Sequence, residues 1–394
     1  MANPYLKQYL MTAGPTPIPP AVSQAMAQPV LYHRAPAFIE VYARCLDRLK
    51  TIFQTDNDVL TFAASGSGAM ESAVANLTRP GQSALVASCG KFGERWVSLC
   101  QDFGAEVVHH DAGWGTKVEP ADLQRALADN PGVEVVFTTL SETSTGVVND
   151  IQALTEVVHA AGALIAVDAV SGLGAVPIAQ DEWGVDVVVS GSQKALMCPP
   201  GLAFAGVNEA ALERAQESPG RRTYFDWGAT AKGQRKDPPD SPFTPAVTLF
   251  MGLDVALDMI VAEGLDNVFD RHRLLGRASR AAAAALDLDL FGPEDDNANV
   301  VTAIRMPEGI DGASIPKIMR DRFGVTIAGG QNQLKGKIAR VAHCGYFGAF
   351  DILTTFSALE MALREAGHEV ELGSGVGAAQ AVFLEAGVPA AAPA

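Results

Sequence analysis

The chain has 394 residues, 48% of them hydrophobic, and a formal net charge of −16. That length leaves ample core for one large and one smaller domain, and the acidic balance argues against a nucleic-acid partner, whose phosphate backbone calls for a basic face. Apolar runs are all short, so no membrane span is expected, and the start MANPYLKQYL lacks the basic-then-apolar build of a secretion signal.

Alternating apolar strands and amphipathic helices predict an α/β fold with a doubly wound, mainly parallel sheet. The first strand, 59–63, runs into Ser65-Gly66-Ser67-Gly68, and a helix follows from about Ala69. Glycines let backbone N–H groups approach an anion there, and the helix start adds a favourable dipole for phosphate, although such a turn alone is weak evidence. Further strands are expected at 84–87, 106–109, 133–139, 163–167, 185–189 and 203–207. The 163–167 strand ends at Asp168 before a loop of small residues, where open parallel sheets bind ligands. An aspartate so placed can hold a protonated pyridine nitrogen by a charge-assisted bond; it can equally cap a helix. The run Val187-Val188-Val189 then delivers Lys194 into a turn closed by Pro199, Pro200 and Gly201. Partial desolvation lowers a lysine's pKa and frees its lone pair for Schiff-base chemistry, but an isolated SxxK is more often a solvated surface lysine. Phosphate cradle, strand-end acid and post-strand lysine together follow the order in which fold-type I pyridoxal phosphate (PLP) enzymes present their cofactor groups.

Beyond the last of these strands, the Pro- and charge-rich stretch 217–245 lacks periodicity and reads as a loop, with Trp227 a candidate lid over the site. Apolar helical spacing from Phe250 to Ile260 precedes an Arg- and Ala-rich helix over 270–286, which is expected to begin a smaller C-terminal domain. The organisation expected is an N-terminal segment 1–20, a large PLP-binding domain 21–255, a small α+β domain 256–386 and a disordered tail 387–394.

The motifs GPTPIPP, HRAPAF, SGSGAMES, CGKFGERW, SETSTGVVNDI, VDAVSGLGA, SGSQKAL, SPFTPAV and AGGQNQLKGKIARVAHCG run nearly end to end. In this order they resemble the class V aminotransferases, most closely the serine–glyoxylate, alanine–glyoxylate and serine–pyruvate branch, some cyanobacterial members of which have carried the name soluble hydrogenase subunit. The resemblance implies PLP on Lys194, with Gln193 beside it and Asp168 as partner of the ring nitrogen. It implies Ser67, Gly68 and Ala69 at the cofactor phosphate, Phe92 in the ring-stacking place and Thr143 near the ring hydroxyl. Thr244 would reach the phosphate of a second subunit's cofactor, placing the active sites of a homodimer at its interface. Ser241 stands where several relatives have a phosphate-binding Tyr. Arg340, in IARVAHCG, matches the arginine that grips a substrate α-carboxylate with its planar fork. His343 is expected to be a hydrogen-bonded core histidine.

The activity so implied is transamination from a small amino acid, serine or alanine, to a small 2-oxo acid, glyoxylate or pyruvate. Five scattered cysteines without a metal-ligand spacing suit a reducing cytoplasm. Two alternatives stand beside this reading. One is a cysteine desulfurase, which usually has histidine before the lysine and needs a mobile loop cysteine. The other is a catalytically silent structural subunit.

Overall fold

The computed structural model describes residues 6–218, 222–295 and 298–387; the tail expected to be disordered lies outside them from residue 388 onward. The large sheet has seven strands: β1 (Asp58–Phe62), β2 (Ser83–Ser88), β3 (Glu106–Asp111), β4 (Val135–Thr139), β5 (Leu164–Asp168), β6 (Val187–Gly191) and β7 (Ala203–Val207). Their order is β1-β7-β6-β5-β4-β2-β3, and only β7 runs against its neighbours.

Apolar residues fill both faces of the middle strands because helices cover both. Val188, Ile165, Val167 and Val136 point into one apolar core, whereas Val187, Val189, Ala166, Val135 and Phe137 point into another on the opposite face. That burial explains why these strands read as continuous apolar runs. It also leaves the loops at the carboxyl ends of β1, β2, β4, β5 and β6 gathered along one edge, where such sheets build ligand sites.

The smaller sheet is antiparallel, with β8 (Val301–Arg305) and β9 (Ala328–Gly329) on either side of β10 (Ile338–Ala342). Its core includes Leu275, Ala278 and Ala282 of helix Leu265–Ala284, whereas Val268 of that helix belongs to the large core. The expected division at 255/256 falls inside the preceding helix, Val247–Glu263, which buries Phe250, Leu253 and Leu257 in the large core. The N-terminal segment crosses between the two units. Tyr9–Leu10 pairs with Val325–Thr326, and Met11 and Ala13 join the smaller core.

Two expectations are corrected. Helix Gly66–Leu77 starts at Gly66 rather than near Ala69, since the tertiary site overrides glycine's poor propensity. Trp227 is no lid: it opens helix Trp227–Gln234 inside the expected loop, is fully buried, and donates from Nε1 to Ser72 Oγ at 3.2 Å.

Candidate active site

Lys194 follows β6 and faces the N-terminal segment. Its Nζ donates to the Ala13 carbonyl at 2.6 Å, while its own carbonyl accepts from Thr16 Oγ1 at 2.9 Å and Thr16 N donates to the Gln193 carbonyl at 3.1 Å. Gly14 sits at φ +147°, and a Cβ there would lie 2.2 Å from Lys194 Nζ, so only glycine admits the amine. Burial pulls the pKa of Lys194 down, and nearby Arg340 and Arg95 act in the same sense, against the raising influence of Cys344 and Asp168. The amine is therefore neutral, and nucleophilic, over more of the pH range than a surface lysine.

Asp168, the last residue of β5, is buried and accepts from Val170 N at 2.8 Å. Burial pushes its carboxyl up to about 7; the Val170 bond opposes this, Glu142 adds to it, and Arg95 and Lys194 oppose it. A cation placed against this carboxylate would restore its charge. Gln193 Oε1 is buried without a hydrogen-bond partner, an acceptor that a bound molecule could satisfy.

After β1, Ser65 makes no side-chain cap on helix Gly66–Leu77. The N–H groups of Gly68 and Ala69 already donate to Ser65 O at 2.8 and 3.2 Å. The groups left open at an uncapped start are those of Gly66 and Ser67, one step earlier than the expected Ser67–Ala69 cradle. Ser67 Oγ accepts from Arg95 at 2.8 Å, and the Arg95 guanidinium lies 5.1 Å from the Phe92 ring centroid. Both residues belong to helix Lys91–Asp102, three positions apart on one face. Arg95 was missed in the sequence; its spacing from Phe92 within KFGERW was the available signal.

Arg340, on β10, is buried and reaches from the smaller sheet to the turn after Glu142. It donates from Nε to Gly329 O at 2.9 Å and from NH1 to Thr143 O at 2.7 Å. Burial lowers its pKa while Glu142 raises it. Thr143 thus meets the site through its carbonyl. His343 is a core histidine as expected, fully buried with Nε2 3.0 Å from Thr302 Oγ1. Thr244 is exposed, in the segment that also carries Phe243, which stacks on Tyr224 at 4.8 Å; it lines a small cavity with Phe62 and Ala63 at the end of β1. Ser241 lines a separate cleft of about 450 Å³ with His33, Arg34, Tyr42 and Asp240.

A buried amine whose pKa is lowered, a buried carboxylate whose pKa is raised, an uncapped helix start with an arginine beside it and a buried guanidinium come together. That set can bind an anionic ring compound, attack a carbonyl carbon and hold a carboxylate.

The family model for aminotransferase class-V matches residues 8–343. The chain is 42% identical to a protein named soluble hydrogenase, small subunit, from Synechococcus sp. (strain PCC 6716), over 96% of this chain and 99% of that one. It is 37% identical to serine–glyoxylate aminotransferase of Methylorubrum extorquens, over 96% of each. It is 36% identical to L-aspartate–glyoxylate aminotransferase of Paracoccus denitrificans, over 93% of this chain and 94% of that one.

Proposed function

The chain belongs to the class V aminotransferase family, and on that premise we propose that it carries PLP on Lys194 and moves an amino group from serine or alanine to glyoxylate or pyruvate. The observation that carries this reading is the placing of Lys194 just after β6 and of Asp168 at the end of the adjacent strand β5, both buried, with burial lowering the pKa of the amine and raising that of the carboxyl. The residues fit the cofactor. Gly66, Ser67 and Arg95 offer donors to its phosphate, Phe92 a face to its ring, Asp168 an anion to its pyridine nitrogen and Gln193 an unpartnered acceptor. PLP supplies an electron sink for the pair left on a substrate carbon when its proton departs.

The Lys194 amine would hold the cofactor and, when free, would move the proton at the substrate Cα. Asp168 would place its carboxylate against the pyridine nitrogen. Arg340 binds the carboxylates of donor and acceptor in turn, its two backbone bonds holding the fork in place. A dicarboxylic donor needs a second cation, and in this reading Arg95 serves the cofactor phosphate, which leaves Arg340 for the carboxylate; small donors therefore fit best. Glyoxylate is favoured as acceptor because the names of both aminotransferase relatives contain it.

Homodimerisation through the Thr244 face is part of this reading, supported by exposed Val30, Tyr32, Tyr224 and Phe243 on or near the segments involved. A cytoplasmic home is supported by five free cysteines, all buried. The desulfurase alternative loses support because Cys344 is fully buried, with burial raising its thiol to about 11, and cannot serve as a mobile sulfur acceptor. A panel of serine, alanine, aspartate and glutamate against glyoxylate, pyruvate and 2-oxoglutarate tests the proposal. Preference for serine or alanine with glyoxylate or pyruvate supports it, and preference for aspartate or glutamate contradicts the substrate assignment.

A further inference from the structure

We propose that Glu142 is a positioning residue of this site: from the loop after β4 it caps the helix that carries Phe92 and Arg95, and so fixes the ring-stacking face relative to the phosphate cradle. The inference rests on the PLP reading and adds a residue to it. Glu142 is fully buried, and both its oxygens are used. Oε2 accepts from Phe92 N at 2.8 Å and Gly93 N at 3.0 Å; Oε1 accepts from Ser144 N at 3.0 Å and Ser144 Oγ at 2.6 Å. Ser144 Oγ in turn accepts from Lys91 N at 3.1 Å. Three successive N–H groups of the first turn of helix Lys91–Asp102 thus end on Glu142 and Ser144.

That helix has glycine at its N-cap, with no local capping side chain. A Cβ on Gly90 would lie 2.6 Å from Glu142 Cγ, so the distant glutamate fills the space a local cap would take. Its charge also complements the positive end of the helix. Downstream, Phe92 is one of the capped residues, and Arg95 reaches Ser67 from the same turn. A shift of the helix start would move the stacking ring and the guanidinium together.

Glu142→Gln keeps the shape but changes the chemistry. Three of the four groups bonded to the carboxylate are backbone N–H donors: an amide nitrogen turned toward the helix faces two of them and turned toward Ser144 faces one, with only the rotatable hydroxyl able to accept from it. The test compares wild type, Glu142→Gln, Arg95→Gln and the double variant, each titrated with PLP. Cofactor affinity and the visible circular dichroism of the bound cofactor are read beside thermal unfolding of the cofactor-free proteins. The expected result is affinity weaker on the order of 10-fold, as for a lost cap, with an altered visible dichroism in Glu142→Gln and a smaller further loss when Arg95 is already changed. Unaltered affinity and dichroism in Glu142→Gln would overturn the inference, as would a change confined to the melting temperature. Should Glu142→Gln not fold, Ser144→Ala takes its place, with the same direction expected and the same unaltered values overturning it. Failure of the wild type itself to take up PLP would instead overturn the cofactor reading, carrying this inference with it.

Discussion

Lys194 Nζ donates to the carbonyl of Ala13 at 2.6 Å, which makes the N-terminal segment one wall of the site. The same segment pairs with Val325–Thr326 of the smaller unit, so the reactive amine rests on chain that ties both sheets together. Gly14→Ala puts a methyl group into the space of the Lys194 side chain at a φ that disfavours any Cβ. The variant is expected to fold, by far-ultraviolet circular dichroism, yet to lose most of its PLP uptake by visible absorbance. Uptake equal to the wild type would show that the segment does not wall the amine.

Arg340→Ala is expected to lower kcat/KM in both half-reactions, at a cost of roughly 2–5 kcal/mol for a well-desolvated carboxylate pair. Arg340→Lys should recover only part, because a point charge cannot reproduce the fork. Single-turnover kinetics of each half-reaction measure this, and an Arg340→Ala enzyme with wild-type kcat/KM would place the carboxylate elsewhere.

Asp168→Asn separates catalysis from stability. Loss of the anion should slow proton removal by at least 10²–10³-fold, the scale of a lost electrostatic stabiliser. In the cofactor-free protein the sign is opposite. Burial raises the folded-state pKa of Asp168 to about 7, so the folded form holds its proton more tightly than the unfolded chain and stability is lost as pH rises toward 7. Cofactor-free Asp168→Asn should therefore be the more stable protein at pH 8, by up to roughly 4 kcal/mol, and the gap should shrink at pH 5. Urea unfolding at the two pH values checks it. A less stable variant at pH 8 would mean that the carboxylate is stabilised by contacts stronger than its bond to Val170.

His272 and His343 give the smaller unit an acid sensitivity. His272 Nδ1 bonds Val268 O at 2.6 Å and Nε2 accepts from Gly345 N at 2.8 Å, while His343 Nε2 lies 3.0 Å from Thr302 Oγ1. Burial holds His272 well below its ordinary pKa and His343 down to about 3. Both folded values are depressed, so the unfolded chain takes up protons first; stability is full above about 6.5 and falls as pH drops below it. Between pH 7.5 and 5 the loss is expected to be roughly 2 kcal/mol per histidine. Unfolding in the Asp168→Asn background, which removes one opposing titration while those of Glu142 and Asp351 remain in every variant, measures it, and His343→Gln should reduce the slope relative to that background. An unchanged slope would mean that His343 protonates in place.

The strands leading to Asp168 and Lys194 were legible because burial on both faces writes itself as unbroken apolar runs ending in a polar residue. Arg340 was legible only through its motif, since its contact with Thr143 comes from distant chain. The start of helix Gly66–Leu77 at Gly66 was not, because tertiary packing there overrides glycine's poor helix propensity. Trp227 was misjudged for a related reason: the composition around it hid an eight-residue helix whose tryptophan is anchored on Ser72. Glu142 falls within the SETSTGVVNDI motif but its role was not legible there, for a side chain that caps a helix from a distant segment leaves nothing periodic to find.

The most direct measurement of the central claim is borohydride reduction of the purified protein after addition of PLP, followed by peptide mass analysis. The account predicts a visible absorption band before reduction and the cofactor mass fixed on the peptide containing Lys194, absent in Lys194→Ala. A colourless protein that takes up no PLP, or a cofactor fixed to another lysine, would contradict it.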